Sequence, residues 1–525
     1  MEPALTRMDV QSHPLLHNDD ILQLVFRQMF DGRDIIGWTS TLASSARVST
    51  AFCSPALDVL WYDVTILPLL KTLGLFLSQT QNGGRVRRVY YCCFPQVLEG
   101  FVAESRWARF QSYAGRVHRL TLTADEAIQV HPSVFRAIGV FHAHYRALFP
   151  VLRHLVCLTT PSLYELQLFP FITGSLREVT IGKQWSFHTE TNEDHIFGRL
   201  LSVLSSEASE MNYLYLGCDI RPSLLIQHIV HFTRLKHLFL EGPISSSQLL
   251  SCCGGLVDLA FLSVSSLREP SQDDVSSIGF PSLRELKMTS DPSIPGVIHL
   301  LASVSSPHLQ EVALLGLSWD GQDEWRSCFC VLCSKFSSSL RKIDVTSFAP
   351  VNASSVSFMH IVQPLLGISR IQRFTVWCDG SPFMLTDYDI HDIASSWRNL
   401  EDLYLRVGEG SPRERPSVYA IDAFAQFCPR LRQLTISCLD IFLPAPWPLS
   451  LTMFPRLTEL NFGKGDRDLR ETTDATVRLA HFLHDRCPCL DLHTLARNSP
   501  DLFLALRSLR SPEGNQSDDD SVEAL

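Results

Sequence analysis

The chain of 525 residues has few of the features that mark nucleic-acid-binding or membrane proteins. Only 19% of its residues are charged, the net charge is −10, and the densest basic run is the short stretch 85–88. Because nucleic-acid binding usually needs a basic face, we expect no nucleic-acid partner. The longest stretch without Asp, Glu, Lys or Arg, residues 347–369, is interrupted by Pro350 and Pro364. We therefore expect neither a membrane span nor a membrane partner.

Signals for export, catalysis and metal binding are also missing. Residues 1–4 lack a basic region followed by an apolar run, so we expect a cytoplasmic or nuclear protein with reduced cysteines. There is no glycine-rich phosphate loop, nucleophile elbow or HExxH motif, so we expect no enzyme activity, no catalytic residues and no cofactor. Cys328, Cys330 and Cys333 have a metal-like spacing but no second pair of ligands nearby, so no metal site is predicted.

A short apolar phrase recurs instead, with the spacing apolar-x-x-apolar-x-apolar. Its copies are Met211/Leu214/Leu216, Leu235/Leu238/Leu240, Leu256/Leu259/Phe261, Leu283/Leu286/Met288, Leu309/Val312/Leu314, Leu340/Ile343/Val345, Ile371/Phe374/Val376, Leu400/Leu403/Leu405, Leu431/Leu434/Ile436 and Leu457/Leu460/Phe462. The copies from Leu283 to Leu457 begin 26, 31, 31, 29, 31 and 26 residues apart. Independent strands have no reason to keep that spacing, so the pattern indicates an internal repeat.

Each repeat is predicted to contain a strand and a helix. Proline stands two residues before the first apolar position at Pro281, Pro307, Pro429 and Pro455, where it stops a preceding helix and lets an extended segment begin. Helix-like stretches separate the phrases, for example at 223–232, 298–304, 390–397 and 421–428. The prediction is an α/β fold with parallel strands inside and helices outside.

These repeats resemble the long form of the leucine-rich repeat, and the phrase from Cys428 to Leu431 is similar to repeats of F-box adaptors. The resemblance implies a solenoid whose apolar anchors face the core, while the other strand positions line a concave face that binds a protein substrate. Aromatic and arginine side chains are frequent in interface hot spots. The predicted substrate-binding residues are Phe239, Arg373, Trp377, Tyr404 and Arg406. The alternative is that loops fold over these side chains and bury them.

Residues 13–62 do not share the repeat and predict a helical module. A helix start at Asn18, with acids following it, precedes an apolar stripe at helical spacing. A second helix is predicted over 41–52, and a third from Ser54-Pro55. Because about 50 residues cannot bury this much apolar surface alone, the surplus predicts an interacting partner.

The module resembles the F-box in the order and spacing of Pro14, Asp20-Ile21-Leu22, Val25-Phe26, Val48, Phe52 and Leu60-Trp61. The resemblance implies that the helices bind the Skp adaptor, and through it a cullin, of a ubiquitin ligase. The residues implied to make or support that contact are Pro14, Ile21, Leu22, Val25, Phe26, Val48 and Trp61. Two alternatives stay open: Leu22, Val48, Leu60 and Trp61 are core residues of the helices, or the chain is a leucine-rich-repeat scaffold without a ubiquitin-ligase role.

The predicted organisation has six segments. They are a flexible N-terminus (1–12), an F-box-like helical module (13–62), connecting helices (63–114), leucine-rich repeats (115–465), a C-terminal helical cap (466–510) and a disordered acidic tail (511–525).

Overall fold

A computed structural model shows a chain that divides into two compact units, Met1–Glu241 and Gly242–Leu525. The structure describes residues 18–30, 35–73, 76–78, 96–98, 102–123, 148–158, 169–182, 193–217, 222–269, 279–290, 292–318, 321–348, 356–408, 415–437, 453–462, 473–498 and 500–510, with isolated positions at 126, 130, 134–135, 138–139 and 439. The predicted flexible N-terminus and acidic tail lie outside these residues.

The first unit begins with three helices, α1 (Asp19–Phe30), α2 (Ile35–Ser45) and α3 (Thr50–Leu60). The Oδ1 atom of Asn18 accepts hydrogen bonds from the N–H groups of Asp20 (3.0 Å) and Ile21 (3.2 Å). This side chain satisfies two of the free donors at the start of α1, which is the capping role the sequence predicted.

The second and third helices differ from the prediction. Helix α2 ends at Ser45, and α3 begins at Thr50 rather than at Ser54-Pro55. The cause is Ser49, whose hydroxyl accepts a hydrogen bond from the N–H of Phe52 and caps α3 one turn earlier. Pro55 therefore lies inside α3, where its ring is buried.

A parallel sheet follows in the first unit, with the strand order β1-β4-β5-β6-β7-β8. Its elements, with a short antiparallel pair β2 and β3, are β1 (Asp63–Thr65), α4 (Ile66–Lys71), β2 (Phe76–Ser78), β3 (Gln96–Leu98), α5 (Glu104–Ala114), β4 (Arg119–Thr123), β5 (His154–Leu158), β6 (Glu178–Gly182), α6 (Glu193–Glu207), β7 (Tyr213–Gly217), α7 (Pro222–Ile229) and β8 (His237–Ser245). The segment 63–114, predicted to hold connecting helices, thus also holds strands. The sheet begins at β1 because the carbonyl of Tyr62 accepts hydrogen bonds from the N–H groups of His118 and Arg119.

The second unit contains a parallel sheet with the strand order β9-β10-β11-β12-β14-β15-β16-β17, and β13 pairs with β14. Its elements are α8 (Ser246–Cys253), β9 (Phe261–Arg268), β10 (Glu285–Met288), α9 (Ile294–Ser303), β11 (Glu311–Ser318), α10 (Gln322–Phe336), β12 (Lys342–Phe348), β13 (Val356–Ser357), α11 (Phe358–Val362), β14 (Arg373–Met384), α12 (Asp387–Ser396), β15 (Asp402–Gly408), α13 (Ile421–Phe427), β16 (Gln433–Ile436), β17 (Glu459–Asn461), α14 (Thr473–Arg486), α15 (Leu492–Asn498) and α16 (Pro500–Arg510).

The repeated phrase sets the register of this sheet. Its second apolar position forms one cross-strand row, each member of which is at most 2% exposed: Leu286, Val312, Ile343, Phe374, Leu403, Leu434 and Leu460. Because side chains alternate along a strand, the intervening positions point to the opposite face. The predicted α/β class with parallel strands holds within each unit.

One predicted copy of the phrase is out of register. Leu262 pairs with Leu286 and Val264 with Met288, so the triplet at β9 is Leu259, Leu262 and Val264 rather than Leu256, Leu259 and Phe261. The apolar run around β9 fits the phrase at two offsets three residues apart, and only the pairing with β10 separates them.

Candidate partner-binding surfaces

The three N-terminal helices enclose a small apolar core of their own. It consists of Leu22, Phe26, Leu42, Ala56 and Val59, with Ala46, Phe52 and Leu60 packed against it. The rings of Phe26 and Phe52 meet edge to face, with centroids 5.9 Å apart. Two of the residues predicted to bind or support a Skp adaptor, Leu22 and Phe26, therefore lie inside the module.

Other apolar side chains of the module point to solvent. Leu24 is 61% exposed, Val25 47% and Val48 71%, while Ile21 is half-buried. We call Leu24, Val25 and Val48 the module surface. The sequence analysis missed Leu24 because this residue lies off the stripe that faces the core. Pro14 lies outside the described residues.

The far end of the module packs on the segment that follows it. Trp61 stacks on Tyr113 of α5, with ring centroids 4.5 Å apart, and its buried Nε1–H has no hydrogen-bond acceptor among the described residues. Arg116 forms an ion pair with Asp58 of α3 and also donates to the carbonyl of Ser54 at 3.2 Å. Trp61, which was predicted to make or support the adaptor contact, is half-buried and packs the end of α3 against α5.

A similar contact extends from α1 to the first strand of the sheet. Tyr62 stacks on His118 at 4.7 Å, and the guanidinium of Arg27 lies 5.4 Å from the centre of the Tyr62 ring. Burial, and then the positive charge of Arg153 and Arg27, lower the pKa of His118. The stacked pair therefore favours a neutral imidazole.

In the second unit, four of the five residues predicted to bind substrate lie together on β14 and β15. Trp377 is paired with Arg406, and Tyr404 with Thr375, across the two strands. The Arg406 guanidinium lies 4.8 Å from the centre of the Trp377 ring, and the Trp377 and Tyr404 rings are 6.4 Å apart. We call Arg373, Trp377, Tyr404 and Arg406 the strand-face patch. Trp377 is 39% exposed, so its ring is open to a partner rather than covered.

The charges on this face are matched across strands. Nε and Nη2 of Arg373 both donate to Oδ2 of Asp402, at 3.0 and 2.8 Å, and Nζ of Lys342 lies 3.0 Å from Oε2 of Glu311. The hydrogen bond to Asp402 raises the pKa of Arg373 further above neutrality, so the pair stays charged. The matched charges frame the aromatic side chains without adding a net charge.

The fifth predicted residue, Phe239, belongs to the first unit and has other neighbours. Its ring lies 5.2 Å from that of Tyr213 and 5.9 Å from that of Tyr215 on β7. Tyr215 also lies on Gly217, where an added Cβ would come within 2.7 Å of the ring, and its hydroxyl donates to Glu241. Both tyrosines occupy outward strand positions, a signal that the sequence analysis did not use.

The described residues contain no group of three metal-ligating side chains that could hold an ion. Of the three cysteines on α10, Cys328 is buried, Cys333 is half-buried and Cys330 is exposed. Burial raises the pKa of the Cys328 thiol to about 12. Across the described helices, none is both long and apolar enough to span a membrane.

Comparison with known proteins adds little to this geometry. No family model and no curated protein matches the chain. Among solved structures, the crystal structure of a protein from Bacteroides fragilis is similar over 52% of this chain and 68% of its own, with 15% identity and a TM-score of 0.28. A similarity at that score carries no argument about function.

Proposed function

We propose that this protein is a non-enzymatic substrate adaptor of a Skp–cullin–F-box ubiquitin ligase. In this proposal the N-terminal module binds the Skp-type adaptor, and through it a cullin, while the strand face of the repeats binds a protein substrate. The protein would act by raising the effective concentration of its substrate near the ubiquitin-carrying enzyme.

The module surface carries the proposal. The core of the module forms without Leu24, Val25 and Val48, and all three side chains are exposed. Exposed apolar side chains that the core does not use are available to a partner. Val25 and Val48 are also positions at which the chain resembles the F-box. Leu22 and Phe26 would then act indirectly, by holding α1 in place.

The strand-face patch supports the second half of the proposal. It combines an exposed tryptophan, a tyrosine and two arginines on adjacent strands, which are the residue types that dominate protein interfaces. Because Arg373 is held by Asp402 and Arg406 by the Trp377 ring, these side chains are ordered before a partner arrives, which lowers the entropy lost on binding.

The test is co-purification of the full chain with a Skp-type adaptor from cell extract. We expect Val25→Asp and Val48→Asp each to abolish capture, because each places a charge on the module surface without touching its core. Gln28→Asp and Arg47→Asp, at exposed sites beside them, serve as matched controls and should retain capture. Phe26→Asp is unsuitable because it would unfold the module. Capture that survives both valine substitutions would contradict the proposal.

A repeat scaffold without a ubiquitin-ligase role is the second candidate. The Trp61–Tyr113 stack and the Asp58–Arg116 ion pair favour it, because they fasten the helices to the following segment as a cap would be fastened. In that case no Skp-type adaptor is captured, and Trp61→Ala lowers the thermal stability of the chain by disrupting the stack. The two candidates therefore differ in a measurable outcome.

A further inference from the structure

The edge of the second unit's sheet at which the strands begin carries a row of arginines. Backbone hydrogen bonds join the residues just before β15, β16 and β17: the N–H of Arg432 donates to the carbonyl of Glu401 (2.7 Å), and that of Thr458 to Arg432 (2.8 Å). The N–H of Asp491, just before α15, donates to the carbonyl of Thr458 (2.8 Å). This ladder fixes the spacing of the side chains on the edge. We call the following residues the arginine edge: Arg284, Arg341, Arg370, Arg430, Arg432 and Arg456.

The arginine edge is strongly cationic in a chain that is acidic overall. From residue 282 to residue 458, the positions on either side of each repeat's first apolar residue hold these six arginines and one acid, Glu401, and the next position of the ladder holds Asp491. All six arginines are exposed. Among the described residues, the guanidinium groups of Arg430, Arg432 and Arg456 have no hydrogen-bond or ion-pair partner, although Arg370 donates to the carbonyl of Ser338. Three adjacent cations, with Glu401 as the one acid beside them among the described residues of the groove, carry a net positive charge that favours the binding of an anion.

A groove lies within this edge. It has a volume of about 550 Å³ and is lined by Glu401, Pro429, Arg430, Pro455 and Arg456. The two prolines restrict the backbone of the turns before β16 and β17, so the walls of the groove are set before any ligand binds. Its position between neighbouring strand ends suits an extended peptide segment better than a compact ion.

Arg510 is the last described residue before the acidic segment 511–525. Arg510, the last residue of α16, donates through its guanidinium to the carbonyls of Leu490 (3.0 Å) and Cys487 (2.7 Å). Asp491, which follows Leu490, continues the edge ladder, because its N–H donates to the carbonyl of Thr458. The guanidinium of Arg510 therefore lies at the turn one repeat beyond Arg456.

The charge and the length of segment 511–525 both match the arginine edge. The segment contains Glu513, Asp518, Asp519, Asp520 and Glu523 and no Lys or Arg. Fifteen residues can extend over about 50 Å at roughly 3.3 Å each. The six strand spacings from β17 back to β10 amount to only about 29 Å at roughly 4.8 Å each.

We propose that the acidic segment 511–525 docks on the arginine edge of its own chain, with its aspartates against Arg430, Arg432 and Arg456. An acidic segment of another protein then reaches the same surface only by displacing the chain's own, which competes at the effective concentration of a tethered ligand. The proposal is independent of any role in a ubiquitin ligase.

The test measures binding of a fluorescent synthetic peptide, residues 511–525, to full-length chains by anisotropy at low salt. In one chain the segment is neutralised by E513Q/D518N/D519N/D520N/E523Q. We expect the peptide to bind the neutralised chain and to bind the wild-type chain at least about tenfold more weakly, because a short tether supplies a competitor at about millimolar concentration. Binding to the neutralised chain should weaken at high salt, since screening reduces attraction between exposed charges.

Charge reversal identifies the surface. In the neutralised chain, R430E/R432E/R456E should abolish peptide binding, whereas R106E/R109E/R268E, the same charge change at exposed arginines outside the edge, should leave it within about twofold. Equal loss in both triple variants, absence of binding to the neutralised chain, or equal affinity for the neutralised and wild-type chains would each overturn the proposal.

A second measurement does not depend on a peptide ligand. We expect a glutamate-specific protease to cut the wild-type chain at Glu513 and Glu523 slowly, and the R430E/R432E/R456E chain at least about fivefold faster, with R106E/R109E/R268E unchanged. Protection should be independent of protein concentration. Protection that grows with concentration would show docking onto a second copy and would overturn docking within one chain.

Discussion

In the second unit, charged side chains form ion pairs on the strand face, whereas, in the described part of the chain, arginines of the arginine edge do not. On the face, Arg373 is bound by Asp402 and Lys342 by Glu311, each across one strand spacing. On the edge, Arg430, Arg432 and Arg456 stand next to one another with one acid, Glu401, beside them, and none of the three forms an ion pair among the described residues. The same repeat thus places neutralised charges around the aromatic side chains and free positive charge where the strands begin.

The difference follows from the repeat and not from composition. Positions on the face are brought together by the pairing of strands, so an acid on one strand meets a base on the next. Positions on the edge follow the Pro-x-Leu turn, in which the middle residue is Arg at both Pro429 and Pro455. The equivalent position holds Ser282 and His308 in two earlier turns, so positive charge accumulates only where Arg fills it in successive turns, before β16 and β17. There the edge, unlike the face, favours an outside anion.

The largest expected effect comes from a substitution in the buried apolar row of the sheet that supports both surfaces. Leu434 is 1% exposed in the buried row between β15 and β17. Leu434→Ala should lower the free energy of unfolding by about 2–5 kcal/mol, because it removes buried apolar contacts and leaves a cavity. Denaturant unfolding measures this loss. Thr435→Ala, at the neighbouring outward position, should change stability by less than about 0.5 kcal/mol, and equal losses would contradict the assigned register.

The thiols next to the edge give the second contrast. Cys428 and Cys487 precede the turns of two repeats, and burial raises the pKa of each to about 12. At pH 8 only about one Cys428 thiol in 10⁴ is then ionised, so iodoacetamide should leave both residues unmodified in the folded chain. Cys489, at the exposed middle position of its turn, should be alkylated at least about a hundredfold faster.

Peptide mass spectrometry after a short labelling pulse distinguishes these sites, and labelling in denaturant is the control in which the difference disappears. Comparable labelling of Cys428 and Cys489 in the native chain would mean that the turn does not separate a buried from an exposed position, and the arginine edge would lose its geometric basis.

The sheet could be predicted from the sequence because its signal is repeated. Seven copies of the phrase between Leu283 and Leu457 correct one another, so a chance match at one position does not shift the register of the others. The less regular copy near β9 had fewer constraints, and there the predicted triplet was three residues out of register.

The surfaces were harder to predict because they depend on contacts between distant residues. The stripe on α1 contains Leu22, Val25 and Phe26, and only the packing of α2 and α3 decides that Val25 is the one exposed. Likewise Arg373 and Asp402 are 29 residues apart, and no local pattern separates a paired arginine from Arg432, which has no partner in the described part of the chain. Sequence periodicity reports which side of a strand a residue occupies, and not which neighbour it meets.

The smallest expected effect tests the contrast between face and edge directly. Asp402→Ala removes the partner of Arg373 and should cost about 0.5–1 kcal/mol, because the pair is partly exposed and Asp344 and Glu311 also act on Arg373. Arg432→Ala should change stability by less than about 0.5 kcal/mol, since that side chain has no partner among the described residues. Thermal unfolding should therefore separate the two variants by about 1–3 °C.

Binding of the acidic peptide 511–525 to the chain with a neutralised acidic segment should rank the same two variants in the opposite order. Arg432→Ala should lower the affinity for the peptide about threefold, and Asp402→Ala should leave that affinity within about twofold. Only the first substitution removes a positive charge from the arginine edge. The crossing of the two rankings is the informative result. If one variant had both the lower thermal stability and the lower peptide affinity, charges on the face and on the edge would have the same role. The distinction between a neutralised surface and an anion-binding surface would then fail.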